Sequence, residues 1–146
     1  MNTIEKFIKQ SGLNITKYEA YYYGYKEIAD QILQCLLNGD KRATTGLKCL
    51  YDAENEALPC VGDYSVILDS NEEPRCITQI TKVEIVRFKD ITEEYAYIEG
   101  EGDKSLAYWK KEHERVFTKE CREDLDIEFN EEMECVCEYF EVVYIA

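Results

Sequence analysis

One histidine, one tryptophan and two prolines are all that this chain of 146 residues carries of those three types. A lone histidine excludes the multi-histidine metal centres, and the seven cysteines contain no Cys-x-x-Cys pair, which removes the usual tetrahedral zinc site. Cys135 and Cys137, two apart in a strand-like stretch, share a face but lack further ligands. The cysteines are odd in number, irregularly spaced and unaccompanied by a secretory signal, so reduced thiols are expected in place of a disulfide framework. No apolar run approaches the roughly 20 residues of a membrane-crossing helix. The glycines at 100 and 102 do not open a dinucleotide fingerprint after a strand, and no βαβαβ alternation supports a Rossmann fold. A cytoplasmic protein with no metal, no cofactor and no membrane partner is the expectation.

Basic residues are also scarce. Lys and Arg number 17 against 31 Asp and Glu, a formal charge of −14. Long duplex DNA is therefore not an expected partner, because a broadly negative surface repels it over a Debye length of roughly 8 Å. The charge is uneven, however. Residues 1–50 hold seven basic residues against five acidic ones, whereas the remainder holds ten against 26. An anion site, if present, belongs to the first third.

What is there reads as one domain of short helices followed by strands. Ile4, Phe7 and Ile8 predict an amphipathic opening helix within an N-terminal helical extension of about residues 1–20, with the core spanning about 21–146. Ile28, Ala29, Ile32, Leu33, Leu36 and Leu37 form one helical stripe that Asn38 and Gly39 terminate. Tyr64–Asp69 and Arg75–Arg87 are β-rich runs joined by a plausible hairpin at 70–74, and the imperfect alternation of the second predicts a bend or bulge. Asp103 to Phe117 predicts a helix capped by Asp103, and 134–145 a closing strand. The acidic stretch 119–134 reads as a solvated connection. Together these predict an α+β fold, a small mixed β-barrel of about five to six strands with flanking helices.

The segment Gly39-Asp-Lys-Arg-Ala-Thr-Thr-Gly46 concentrates chemistry. As an ordered loop after a helix it brings Lys41 and Arg42 beside the hydroxyls of Thr44 and Thr45, between glycines that permit unusual backbone angles. Such a loop suits an anion or a polar base. Lys41 and Thr44, three apart, can point into one pocket, with Lys as general base if desolvated and Thr as nucleophile. The plainer alternative is a solvated helix exit.

The stretch LLNGDKRATTGL resembles the GxKxxT signature of the ASCH family (activating signal cointegrator homology), with Gly39, Lys41 and Thr44 at the matching positions. Residues 58–69, 80–113 and 137–144 are similar to the same family in the expected order. The resemblance implies a barrel like that of pseudouridine synthase and archaeosine transglycosylase RNA-binding domains, of the PUA-like superfamily, with the signature loop in a cleft. One branch of that family hydrolyses the amide of N4-acetylcytidine with a Lys, a Thr and a Glu. By that resemblance Lys41, Thr44 and Glu99 are the candidate catalytic group, Glu99 through the A-x-x-E of Ala96–Glu99 and Glu101 in reserve. Related proteins carry a tryptophan and an acidic residue near Tyr23-Gly24-Tyr25, where this chain has tyrosines.

Three functions compete on these residues. A binding module would take an RNA segment or a modified nucleoside on Gly39, Lys41, Arg42, Thr44, Thr45 and Lys48, with Tyr23 and Trp109 stacking on bases. An enzyme would hydrolyse an acylated nucleoside or cleave RNA. An acidic interaction domain would recruit a basic partner through 119–134. Trp109 and His113 read first as core residues, with His113 a minor acid–base candidate, and most of the tyrosines in 18–25 read as packing. Oligomeric state is not readable from the sequence.

Overall fold

The computed structural model describes residues 1–146. Five strands form one sheet in the order β1-β3-β4-β5-β2, where β1 is Tyr18–Tyr21, β2 Ala43–Leu47, β3 Tyr64–Leu68, β4 Pro74–Arg87 and β5 Glu134–Ile145. Around it lie α1 (Thr3–Ser11), α2 (Lys26–Leu37), α3 (Lys48–Ala53), α4 (Glu93–Glu99) and α5 (Leu106–Glu120). This is the expected α+β architecture, a five-stranded half-barrel with helices laid against it. No helix is long and apolar enough to cross a membrane.

The curl comes from the two long strands. β4 and β5 pair antiparallel along most of their length, and their register shifts between Ile77 and Thr78 and again between Ile80 and Lys82. Each shift inserts an unpaired residue that bends the ribbon, which accounts for the broken alternation in the sequence. Only β1 with β3 is a parallel pair, Tyr18 opposite Tyr64.

Three apolar clusters hold the layers together. α1 buries Phe7 against Val66, Ile77 and the ring of Tyr144. α2 lays Leu33 and Leu36 on Ile67, Cys76 and Phe140. The largest cluster joins β2 and β5 to α4 and α5 through Ala43, Leu47, Tyr95, Trp109, Phe117 and Cys137. All seven cysteines are unpaired.

Several local expectations are corrected. Residues 43–47 are a strand, not loop, because β5 offers an edge for Ala43 and its successors to pair with. The opening helix ends at Ser11, and Tyr18–Tyr21 extends the sheet instead of continuing a helical extension. Ser105, not Asp103, caps α5 by accepting the Tyr108 N–H; Asp103 accepts the Ser105 N–H one turn earlier. α5 runs on to Glu120 and widens into a π-helical turn at Cys121–Leu125, so part of the acidic connection is helical. Helices α3 and α4 were not signalled by the strand-like reading after Gly46.

Candidate functional site

The end of α2 fixes the central lysine. Gly39 turns the chain at φ 83°, and the Asp40 and Lys41 N–H groups both donate to the Cys35 carbonyl. Arg42 donates its N–H to the Ile98 carbonyl and accepts from the Phe140 N–H. Backbone bonds to three elements thus leave the Lys41 side chain one direction, inward, where it is 2% exposed. Its Nζ donates to the Ala43 carbonyl at 2.7 Å and stands 3.4 Å from Glu99 Oε1 and 3.6 Å from Glu101 Oε1. The Tyr23 ring centroid is 5.6 Å away, so an aromatic face completes the ammonium's surroundings.

Glu99 is the last residue of α4 and is equally buried. Thr92 starts that helix by accepting the Tyr95 N–H, and Gly100 ends it in a left-handed turn at φ 74°. The approach of Gly100 to the lysine turn is so close that a Cβ there would stand 1.9 Å from the Asp40 carbonyl oxygen. This contact brings Glu99 and Lys41 together. Glu99 Oε2 accepts from Thr45 Oγ1 at 2.7 Å and from the Trp109 indole N–H; Oε1 takes His113 Nε2 at 3.1 Å as well as Lys41.

Removing a carboxylate from water costs several kcal/mol, about the scale of the idealised penalty after relaxation, unless donors replace the lost hydration. Four donors do so here. Burial alone would push the Glu99 carboxyl up, but the charges of Lys41 and His113 and the Thr45 hydroxyl outweigh it and hold the acid well below its usual range. Glu101 behaves oppositely. Burial, reinforced by the nearby Glu99 charge, raises its carboxyl despite the pull of Lys41, and it is 27% exposed at the edge of the group.

His113 faces acceptors on both sides, the Trp109 carbonyl at 2.8 Å from Nδ1 and Glu99 from Nε2. Both neighbours are acceptors, so the arrangement favours the doubly protonated ring. Burial opposes that charge, yet Glu99 and the Trp109 carbonyl raise the proton affinity of His113 above the ordinary value. Its ring stacks on the Trp109 indole at 4.0 Å and 14°. No buried side-chain polar atom in the protein lacks a partner.

Strand alternation separates the two threonines. Thr45 turns to Glu99, whereas Thr44 lies opposite Glu138 of β5 and contributes only its backbone carbonyl, which accepts the Tyr95 hydroxyl at 3.0 Å. The Thr44 hydroxyl is engaged by no protein group. Glu138 has its carboxyl pushed up to about 7 by burial and by Glu19 and Asp63, with Lys41 pulling the other way. It forms one wall of a cavity of about 460 Å³ that Tyr18, Tyr21 and Tyr51 also line.

Of the other candidates, Gly39 shapes the turn and Arg42 is exposed without an ion-pair partner. Lys48 opens α3 and pairs with Asp52 at 3.1 Å, apart from the Lys41 group. Tyr23 sits under the ammonium, packed edge-on against Tyr21. Trp109 cannot stack on a base in this fold: it is 3% exposed, with His113 covering one face. Glu99, Glu101 and His113 bring one potential ligand atom each within 4.8 Å of one another, but the Lys41 ammonium already supplies the positive charge between the two carboxylates. The donor set fits an ammonium, not a metal ion. Tyr95 and Glu138 were missed by sequence reasoning. Tyr95 was accessible to it, since Thr92, the two glutamates after it and Gly100 mark a helix start and stop.

A family model described as the ASCH domain matches residues 19–144. A solved ASCH domain from Lactobacillus crispatus JV V101 is 35% identical over 96% of this chain and 93% of its own, with a TM-score of 0.89. Protein EF3133 from Enterococcus faecalis V583 is 32% identical over 96% of this chain and 85% of its own, with a TM-score of 0.84. The hypothetical protein PH0355, 15% identical with a TM-score of 0.55 over 87% of this chain and 99% of its own, shares the fold alone. No protein of curated function matches. The half-barrel, the buried lysine turn and these matches agree: the chain belongs to the ASCH domain family.

Proposed function

We propose that the protein binds the base of a modified nucleoside, free or within a single-stranded RNA segment, at the Lys41 end of the half-barrel. The supporting observation is Lys41 itself, a buried ammonium whose charge is already answered by Glu99 and Glu101. Such a lysine has little net charge to offer a phosphate, but it and its neighbours present fixed donors and acceptors suited to the edge of an uncharged base. The formal charge of −14 points the same way, since it disfavours a long phosphate backbone. Association of ASCH domains with RNA supports the ligand class. Arg42, exposed at the same turn, is available to one phosphate, so a salt slope near one counterion is expected.

Isothermal titration with nucleosides and short single-stranded RNAs tests this. Binding should weaken at least tenfold in Thr44→Ala or Lys41→Met and change little in Lys48→Ala. Equal affinities across all three variants would remove the reading.

A second reading, hydrolysis of the amide of an acylated nucleoside such as N4-acetylcytidine, is favoured by the unengaged Thr44 hydroxyl. The charge environment divides the acids: Glu99, held ionised, orients Lys41, while Glu101, with its raised carboxyl and partial exposure, is the better proton donor to a leaving amine. In this scheme Thr44→Ala abolishes product formation while Lys48→Ala does not. Folded protein that yields no product from N4-acetylcytidine or from an RNA panel would exclude it.

A further inference from the structure

Two cations converge on one oxygen. Glu99 Oε1 takes the Lys41 ammonium at 3.4 Å and His113 Nε2 at 3.1 Å, while Thr45 and Trp109 saturate Oε2. The three charged groups are in direct contact and shielded from solvent; Lys41 and Glu99 are each 2% exposed and His113 14%. In such a low-dielectric setting the interaction of each cation with the shared carboxylate depends on the charge state of the other.

We propose that His113 is a positioning residue of the Lys41 site: its imidazolium shares Glu99 with the Lys41 ammonium, so the grip of Glu99 on Lys41 is set by the proton on His113. This rests on the reading that Lys41 is the ligand-facing group. With His113 protonated, Glu99 divides its charge between two partners and Lys41 is freer to turn to a ligand. When His113 loses its proton, Glu99 is left to Lys41, the ion pair tightens, and ligand binding weakens. The coupling is reciprocal, so a ligand that draws Lys41 away from Glu99 raises the proton affinity of His113.

The groups that face His113 from every packed element support this assignment. Glu99 comes from α4 and Glu101 from the turn after it, both raising its proton affinity. Its own helix contributes the Trp109 carbonyl, the stacked indole and the edge of Phe117 at 5.5 Å. Glu120, one element-end away, is also influenced by the His113 charge. Lys41 is the cation that shares a hydrogen-bond acceptor with it. The alternative, a histidine placed only to fill space beside Trp109, does not require Nε2 to meet a buried carboxylate.

The chain has a single histidine, so one imidazole signal reports the pair without assignment. Proton NMR of that signal, titrated against pH in the ligand-free protein, is expected to show a midpoint above about 6.5, the ordinary value. Lys41→Met, which removes the competing cation, should raise the midpoint by about half a unit or more, a modest charge–charge effect. Lys41→Arg should leave it close to the wild-type value. Glu101→Gln, at a partly exposed position, should lower it, because the Glu101 charge raises the proton affinity of His113. Dispersed methyl signals in the same spectra verify folding. An unmoved midpoint in Lys41→Met, or in Lys41→Gln if the former does not fold, overturns the coupling. Neither outcome depends on a ligand, so a failed nucleoside titration and a failed coupling are separate results.

Discussion

Thr44 and Thr45 are neighbours with different duties, and the difference is readable from the parity of a strand. Thr45 donates to a buried carboxylate, and losing a hydrogen bond to a charged group leaves that group short of a donor. Thr45→Ala should therefore cost about 1–3 kcal/mol of folding free energy. Thr44→Ala should stay within about 0.5 kcal/mol, because its hydroxyl bonds to nothing. Urea unfolding of the two variants distinguishes them, and equal losses would show that the alternation across β2 is misassigned. Glu99→Gln is the harsher change. It leaves Lys41 and His113 buried without their shared counter-charge, and breaking a buried pair in this way costs roughly 3–5 kcal/mol. The sequence motif pointed to Lys41 and Glu99 and also to Thr44, but it could not reveal that Thr45 is the residue bonded to Glu99. That depends on where β2 begins, which pairing with β5 decides.

At the scale of elements, the site is a junction between the end of α2 and the end of α4. Two glycines make it, with different roles. Gly39 has open space where a Cβ would go, so Gly39→Ala carries only the left-handed backbone penalty of about 1 kcal/mol. Gly100 has the same backbone sign and a carbonyl in the way. Gly100→Ala must push α4 off the lysine turn and should cost about 3 kcal/mol or more, combining strain and steric displacement. Thermal unfolding of the two alanine variants should differ accordingly; similar melting temperatures would contradict the close contact. Sequence periodicity located α1, α2, α5, β3, β4 and β5 because each has one apolar stripe or a β-branched run. It missed α3 and α4 because six or seven residues hold fewer than two turns of stripe. It missed β1 because tyrosines at 18, 21, 22 and 23 serve a strand edge and a packed helix equally well. Trp109 carried two readings, base stacking and core, and the core reading holds; the sequence could not name the covering partner, since an aromatic residue on a helix carries no signal of it, and here it is His113.

For the whole molecule, charge sets the pH response. Glu99, lowered in the fold, adds stability above the ordinary carboxyl range and loses it as pH falls through its depressed folded value. His113, raised in the fold, adds stability below about 6.5 and loses it as pH rises through its folded value. Glu138, raised to about 7, also destabilises the fold as it ionises between its unfolded range and neutrality, and the raised Glu101 acts in the same direction. With a formal charge of −14 adding self-repulsion at higher pH, stability should peak at about pH 5–6 and fall towards pH 8. Urea midpoints that rise from pH 5.5 to 8 would refute this balance. The same net charge separates the candidate ligands, favouring a base or a short single strand over extended duplex. Ligand binding at the Lys41 turn is read most directly by a two-dimensional amide NMR titration with N4-acetylcytidine and with a short single-stranded RNA. Saturable shifts are expected at residues 40–45 and 99–101. Shifts confined to the outer face of α5, or none with either ligand, would contradict binding there.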